Sequence, residues 1–138
     1  MRILLLNGPN LGTLGRRQPE IYGTMTLAEI VDAACAHAEE RGSTLEHFQS
    51  NHEGALIDRL EVLDYDAVII NAGALSHTSR ALHDALVACG RPAVEVHISD
   101  VFAREEWRHV SVLEPAVGHQ VIGQGWQGYL QAIDLLPG

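Results

Sequence analysis

The chain has 138 residues, 46% of them hydrophobic and 20% charged, as expected for one globular domain, here residues 1–138. Its net charge of −9 argues against nucleic acid or an anionic membrane as a partner. All nine cationic Lys and Arg positions are arginine, which excludes Schiff-base catalysis, attachment of pyridoxal phosphate and a P-loop.

The first predicted elements are a strand, a glycine-rich segment and a helix. An apolar strand over 3–6 leads into the glycine-rich segment, residues 7–23, which we expect to act as an active-site lid. Thr26 and Glu29 form a capping box for a helix that Gly42 ends. A second strand follows over 45–49, and Ser50 with Glu53 predicts another capping box.

The remaining pattern repeats this alternation. Strands are predicted over 67–70, 93–98 and 117–122, with helices over 81–89 and 129–136. Five strands alternating with helices imply right-handed crossovers and a parallel sheet. We therefore predict an α/β fold, a flavodoxin-like doubly wound sheet of five parallel strands with helices on both faces.

The cysteines and the hydropathy pattern indicate the compartment in which the protein works. Cys35 and Cys89 fall on apolar helix faces, so we expect two buried thiols and no disulfide. No apolar run approaches the ~20 residues that a membrane span needs. These features favour a cytoplasmic protein.

Polar side chains gather where the predicted strands end. They are Asn10, Arg17 and Tyr22 after the first strand, Asn71 and His77 after the third, Glu95, His97 and Ser99 around the end of the fourth, and Arg108 shortly after it. The carboxyl ends of parallel strands share one edge of a sheet, where α/β proteins bind ligands. The sequence therefore predicts a ligand site at this edge.

Each of these residues also has an ordinary structural explanation. Loop asparagines commonly bond turn backbone, His97 could be a core histidine, and Arg104 with Arg108 could form a charged helical face. Their common edge favours a site. The eight histidines lack metal-binding spacing, and neither G-x-G-x-x-G nor G-x-S-x-G occurs, so we predict no metal, dinucleotide or serine-hydrolase site.

Four segments carry a resemblance to a known family. In chain order they are NGPNLGTLGRRQPEIYG, SNHEGALIDRL, NAGALSHTS and EVHISDVFAREEWR. Together they resemble the type II 3-dehydroquinate dehydratases over nearly the whole chain. The resemblance implies a flavodoxin-like dodecamer built from trimers, with 3-dehydroquinate as substrate and no metal or cofactor.

The resemblance also implies roles by position. Tyr22 matches the base, Arg17 the arginine beside it, and Asn10 the asparagine that holds a water near the enolate. His97 matches the general acid, and Glu95 the carboxylate that supports the site. The substrate-binding positions are Asn71, His77, Ile98, Ser99 and Arg108, with Asp84 reaching substrate from a neighbouring subunit.

The implied reaction is anti elimination of water from a β-hydroxy ketone to give 3-dehydroshikimate. It needs a base for the proton alpha to the ketone and an acid for the departing hydroxide. A guanidinium near a phenol favours the ionised form of the phenol. A chain without lysine can follow the enolate route but not an imine route. The alternatives are a small-ligand binding module that clamps an anion with its arginines, and a hydrolase or a different lyase.

Overall fold

The computed structural model describes all 138 residues and contains one five-stranded parallel sheet. The strands are Arg2–Asn7 (β1), Thr44–Gln49 (β2), Ala67–Asn71 (β3), Ala93–His97 (β4) and His119–Ile122 (β5), in the lateral order β2-β1-β3-β4-β5. The α-helices are Pro19–Tyr22 (α1), Leu27–Glu40 (α2), Glu53–Glu61 (α3), Arg80–Cys89 (α4) and Gly128–Leu135 (α5). This order and the parallel pairing confirm the predicted flavodoxin-like doubly wound fold.

The sheet separates two hydrophobic cores because successive strand residues point to opposite faces. Ile3 and Leu5 of β1 pack in one core with α2 and α5. Leu4 and Leu6 pack in the other core with α3 and α4. β1 and β3 are therefore apolar on both faces, as expected for central parallel strands. None of the helices combines the length and the apolar character needed to cross a bilayer.

One of the two predicted capping boxes is present. The Thr26 hydroxyl accepts from the Glu29 amide at 3.2 Å, and the Glu29 carboxylate accepts from the Thr26 amide at 3.0 Å. The prediction for Ser50 and Glu53 is wrong, because α3 begins at Glu53 with His52 at its N-cap. The Ser50 hydroxyl accepts from the His52 amide at 3.0 Å and closes a tight turn instead.

Three smaller predictions also differ from the structure. β5 begins at His119 because Val117 bonds back to Glu114 in a turn. Cys89 is buried, but Cys35 is only half-buried. Residues 7–23 are less irregular than predicted, since this segment includes the end of β1 and the single turn of α1.

Two glycines let the loops after β1 and β3 approach closely. A Cβ atom on Gly8 would lie 2.7 Å from the carbonyl carbon of Ala72. Gly73, with φ of +59°, approaches the Pro9 carbonyl oxygen, which would lie 2.9 Å from an added Cβ. Because no side chain separates these loops, the ends of β1 and β3 form one wall of a cavity.

Candidate active site

A cavity of about 200 Å³ lies at the carboxyl edge of the sheet. Nine of the eleven site residues predicted from the sequence line it: Asn10, Arg17, Tyr22, Asn71, His77, His97, Ile98, Ser99 and Arg108. They come from the carboxyl ends of β3 and β4 and from the segments that follow β1, β3 and β4, as the strand-end pattern predicted. Arg104, which we had not singled out, also lines the cavity.

Tyr22 lies between two guanidinium groups. It is the last residue of α1, which starts after Gln18 in a left-handed conformation and stops at Gly23, where φ is +82°. The Arg17 guanidinium carbon is 5.0 Å from the centre of the Tyr22 ring, and that of Arg104 is 5.3 Å away. Two cations this close would stabilise negative charge on the phenol oxygen.

Arg104 lines the cavity but was not among the site residues predicted from the sequence. Its Nη1 donates to the Tyr22 hydroxyl oxygen at 2.7 Å and to the Ser99 hydroxyl at 3.3 Å. The helical-face explanation fails because Arg104 has extended backbone between two short 3₁₀ turns, 101–103 and 106–108. Its position five residues after Ser99, at the same strand end, was the available signal.

His97 and Glu95 form a buried pair on one face of β4. His97 Nε2 lies 2.6 Å from Glu95 Oε2, which leaves Nδ1 as the ring nitrogen free to serve the cavity. Glu95 is fully buried behind His97 and does not line the cavity. The Ser111 hydroxyl and the Gln120 amide donate to its two oxygens at 2.6 and 2.9 Å.

These contacts keep Glu95 ionised in spite of its burial. Burial alone would raise the pKa of the carboxyl, but the hydrogen bonds and the charge of His97 outweigh it, so the pKa lies below its usual value. A fixed carboxylate behind an imidazole orients the ring and stabilises its protonated form. The pair is suited to general acid chemistry.

His77 lines the cavity with its ring centre 6.0 Å from that of His97, and it stays neutral near pH 7. Burial and the positive charges of His97 and Arg108 lower its pKa, and together they outweigh the hydrogen bond to Val110, which raises it. Its Nδ1 donates to the Val110 carbonyl oxygen at 2.7 Å, so Nε2 carries a free lone pair. The Trp107 ring meets the His77 ring edge-on with centres 5.4 Å apart, while the Arg108 guanidinium stacks on Trp107 at 4.0 Å.

Asn10 and Arg108 lie near the mouth of the cavity. Asn10 adopts φ of 71°, a left-handed conformation that asparagine tolerates, and its backbone N–H donates to Asn51 Oδ1 at 3.0 Å. Arg108 donates from Nε to Glu105 at 2.6 Å, which leaves its terminal nitrogens available for an anion. Ile98 and Ser99 complete the wall at the end of β4.

Asp84 is the predicted site residue that lies elsewhere. It is exposed on α4, bonds to His83 at 3.1 Å, and lines a separate apolar groove with Ile57 and Leu63. Within one chain it does not reach the cavity, so its contact with substrate from a neighbouring subunit stays a prediction. No three His, Cys, Asp or Glu side chains group closely enough to hold a metal ion.

Comparisons with known proteins identify the family of this chain. The family model "Dehydroquinase class II" matches residues 1–137. The 3-dehydroquinate dehydratase of Roseiflexus castenholzii is 51% identical over 140 residues, covering 100% of this chain and 89% of that protein. "Catabolic 3-dehydroquinase 1" of Aspergillus terreus is 50% identical over 134 residues, covering 96% of this chain and 88% of that protein.

A solved structure gives the same result. The type II dehydroquinase from Butyrivibrio crossotus superposes with a TM-score of 0.95 at 43% identity, covering 98% of this chain and 96% of that one. The predicted resemblance is thereby confirmed over nearly the full length. The chain belongs to the class II dehydroquinases, a family of hydro-lyases.

Proposed function

We propose that this chain dehydrates 3-dehydroquinate to 3-dehydroshikimate by anti elimination through an enolate, with Tyr22 as base and His97 as acid. The proposal rests chiefly on the Tyr22 hydroxyl, which faces the cavity between Arg17 and Arg104 and accepts from Arg104 at 2.7 Å. A phenolate there can take a proton from the carbon alpha to the ketone. Family membership supports the choice of substrate.

The proposed reaction begins when the Tyr22 phenolate takes the proton alpha to the ketone. The electrons of the broken C–H bond form the enolate, whose oxygen is stabilised by a water that Asn10 holds. When the ketone re-forms, the β-hydroxyl departs with a proton from His97 and leaves as water. Tyr22 then holds the proton gained and His97 lacks the one given, so their exchange with solvent resets the site.

The substrate carboxylate fits the cationic side of the cavity. Arg108 has terminal nitrogens free for a bidentate contact, and Ser99 lines the same cavity. Asn71 and His77 offer an N–H donor and a neutral acceptor for the substrate hydroxyls. The two relatives carry a general and a catabolic name at 51% and 50% identity, so the proposal covers both aromatic biosynthesis and quinate breakdown.

Turnover of 3-dehydroquinate by the purified protein tests this proposal. We expect ultraviolet absorbance of the conjugated enone product to increase, and to do so equally in the presence of borohydride, since no lysine can form a reducible imine. Folded wild-type protein that binds 3-dehydroquinate without turnover would support the binding module instead.

Tyr22→Phe tests the base assignment. The variant should lose at least about a hundredfold in kcat, because general acid–base groups typically contribute about 10²–10⁴-fold. Its KM should change much less, since the ring and both arginines remain. Near-normal kcat in Tyr22→Phe would contradict the role of Tyr22. Tyr65→Phe, which also removes one hydroxyl but lies in the core on the far face, is the matched control.

A further inference from the structure

We propose that Tyr129, Asn7 and His47 are positioning residues for the substrate-binding side chain of Asn71, acting through a chain of hydrogen bonds that can run in only one direction. This inference rests on the proposed function, in which Asn71 contacts 3-dehydroquinate. None of the three lines the cavity, and none takes part in the proton transfers.

The hydrogen-bond chain links the cavity wall to β2 through five residues. The Gly73 amide donates to Asn71 Oδ1 at 3.2 Å, and Asn71 Nδ2 donates to the Tyr129 hydroxyl oxygen at 2.9 Å. Tyr129 donates to Asn7 Oδ1 at 2.6 Å, and Asn7 Nδ2 lies 3.1 Å from His47 Nε2. Every link has hydrogen-bond length.

The backbone amide of Gly73 sets the direction of the whole chain. A backbone N–H can only donate, so the Asn71 atom that faces it is the oxygen and the atom that faces Tyr129 is the nitrogen. The Tyr129 oxygen accepts there and gives its single proton to Asn7. The Asn7 nitrogen then faces His47, whose Nε2 must accept.

Burial leaves no alternative partner for the middle of the chain. Asn7 and Tyr129 are 0% exposed and Asn71 is 4% exposed. Burial raises the pKa of the Tyr129 phenol, although the Asn71 bond opposes this, so the hydroxyl keeps its proton. Burial also lowers the pKa of His47, which keeps the ring neutral and able to accept.

The consequence for the site is a fixed donor. A reversed Asn71 amide would set its nitrogen against the Gly73 N–H, two donors in contact without an acceptor. The second N–H of Asn71 Nδ2 is not used in the chain, so the cavity meets a donor at this position. A substrate hydroxyl or carboxylate oxygen can accept from it.

Tyr129→Phe removes the central link and tests the inference with 3-dehydroquinate as the probe. We expect KM to rise about tenfold, the effect of one lost or misoriented hydrogen bond, with kcat within about threefold of wild type. Tyr65→Phe is the control, because it deletes another buried hydroxyl that donates to the Leu60 carbonyl at 2.6 Å, far from the cavity. Both variants should lower the thermal midpoint, but only Tyr129→Phe should raise KM.

Asn7→Leu breaks the chain one link further away, so it also gives a result if Tyr129→Phe fails to fold. It should raise KM by a similar factor, and the double variant should be no worse than either single one, since both interrupt the same chain. KM effects that multiply in the double variant would overturn the inference, as would Tyr129→Phe with the KM of Tyr65→Phe. Absence of turnover in wild-type protein would instead overturn the proposed function, and the inference with it.

Discussion

At the residue scale, the Tyr22 side chain is contacted by arginines from two separate parts of the chain. Arg17 lies five positions before it, whereas Arg104 reaches it from 82 positions away. The near arginine follows from the sequence of the loop, but the far one depends on the path of the chain after β4. Arg104 is also the cation that bonds directly to the phenol oxygen, so it should matter most for the charge on that atom.

Arg104→Met should therefore reduce kcat by about a hundredfold or more, because the hydrogen bond to the developing phenolate is lost. Arg16→Met is the matched control, since Arg16 is exposed and lies outside the cavity. Steady-state kinetics on both variants checks the prediction. Equal kcat values for the two would mean that Arg104 has no part in proton abstraction.

His47 should make the stability of the protein depend on pH. Its pKa is lowered by burial, whereas a histidine in the unfolded chain titrates near about 6.5. Below that pH the unfolded chain binds a proton that folded His47 does not, so this contribution to stability is full above about pH 6.5 and is lost as the pH falls.

His47→Gln should accordingly lose less stability than wild type between about pH 7.5 and 5.5. Denaturant midpoints measured across this range give the pH dependence of stability for both proteins. Some pH dependence remains in His47→Gln because burial also lowers the pKa of His77. The exposed His52, changed to Gln, provides the control. Parallel curves for His47→Gln and wild type would contradict the assignment.

At the scale of elements, the junction of the β1 and β3 loops depends on the absence of side chains. Gly8→Ala would push a methyl group into the Ala72 carbonyl, so we expect a loss of about 1–3 kcal/mol in the free energy of unfolding. Activity should fall with it, because Asn10 lies on the loop after β1 and Asn71 is the last residue of β3. Urea unfolding and the enone assay measure the two effects.

Gly54→Ala is the matched control for Gly8→Ala. Gly54 lies in α3 with nothing within 4 Å of an added Cβ, so alanine should stabilise the helix by about 0.5–1 kcal/mol. If Gly8→Ala were as stable as Gly54→Ala, the loops would not be packed as closely as the structure has them.

The elements also show why the fold could be predicted from sequence more fully than the ends of individual helices and strands. The central strands β1 and β3 contain continuous apolar runs that local pattern identifies, whereas Ser50 followed by Glu53 has the spacing of a capping box without being one. There the Glu53 carboxylate instead accepts from Ser79, which caps α4 26 residues later, so a long-range contact replaces the local one. Sequence spacing cannot reveal that competition.

At the scale of the whole molecule, the site residues that a single chain brings together were predictable because parallel strands end at one edge. The bond of Arg104 to Tyr22 and the hydrogen bonds from Asn71 to His47 were not, since each joins segments far apart in sequence. The contact of Asp84 with substrate stays a prediction of a different kind, because it requires a second subunit. The position of Asp84 on α4 beside an apolar groove is compatible with that contact.

The predicted dodecamer can be tested by sedimentation velocity, which should give a particle of twelve chains. In that assembly Asp84→Asn should reduce kcat/KM, whereas Asp58→Asn, on the exposed side of α3, should not. A monomer with full activity would contradict both the assembly and the role of Asp84 in the site.

The position of Trp107, edge-on to His77 and stacked under Arg108, has a practical consequence. The chain has only two tryptophans, and the other, Trp126, packs against the core that contains α2 and α5. A carboxylate that binds Arg108 would change the electric field at the Trp107 indole but leave Trp126 nearly unaffected. Intrinsic fluorescence should thus report occupancy of the site without any label, and a Trp126→Phe variant would remove the constant background.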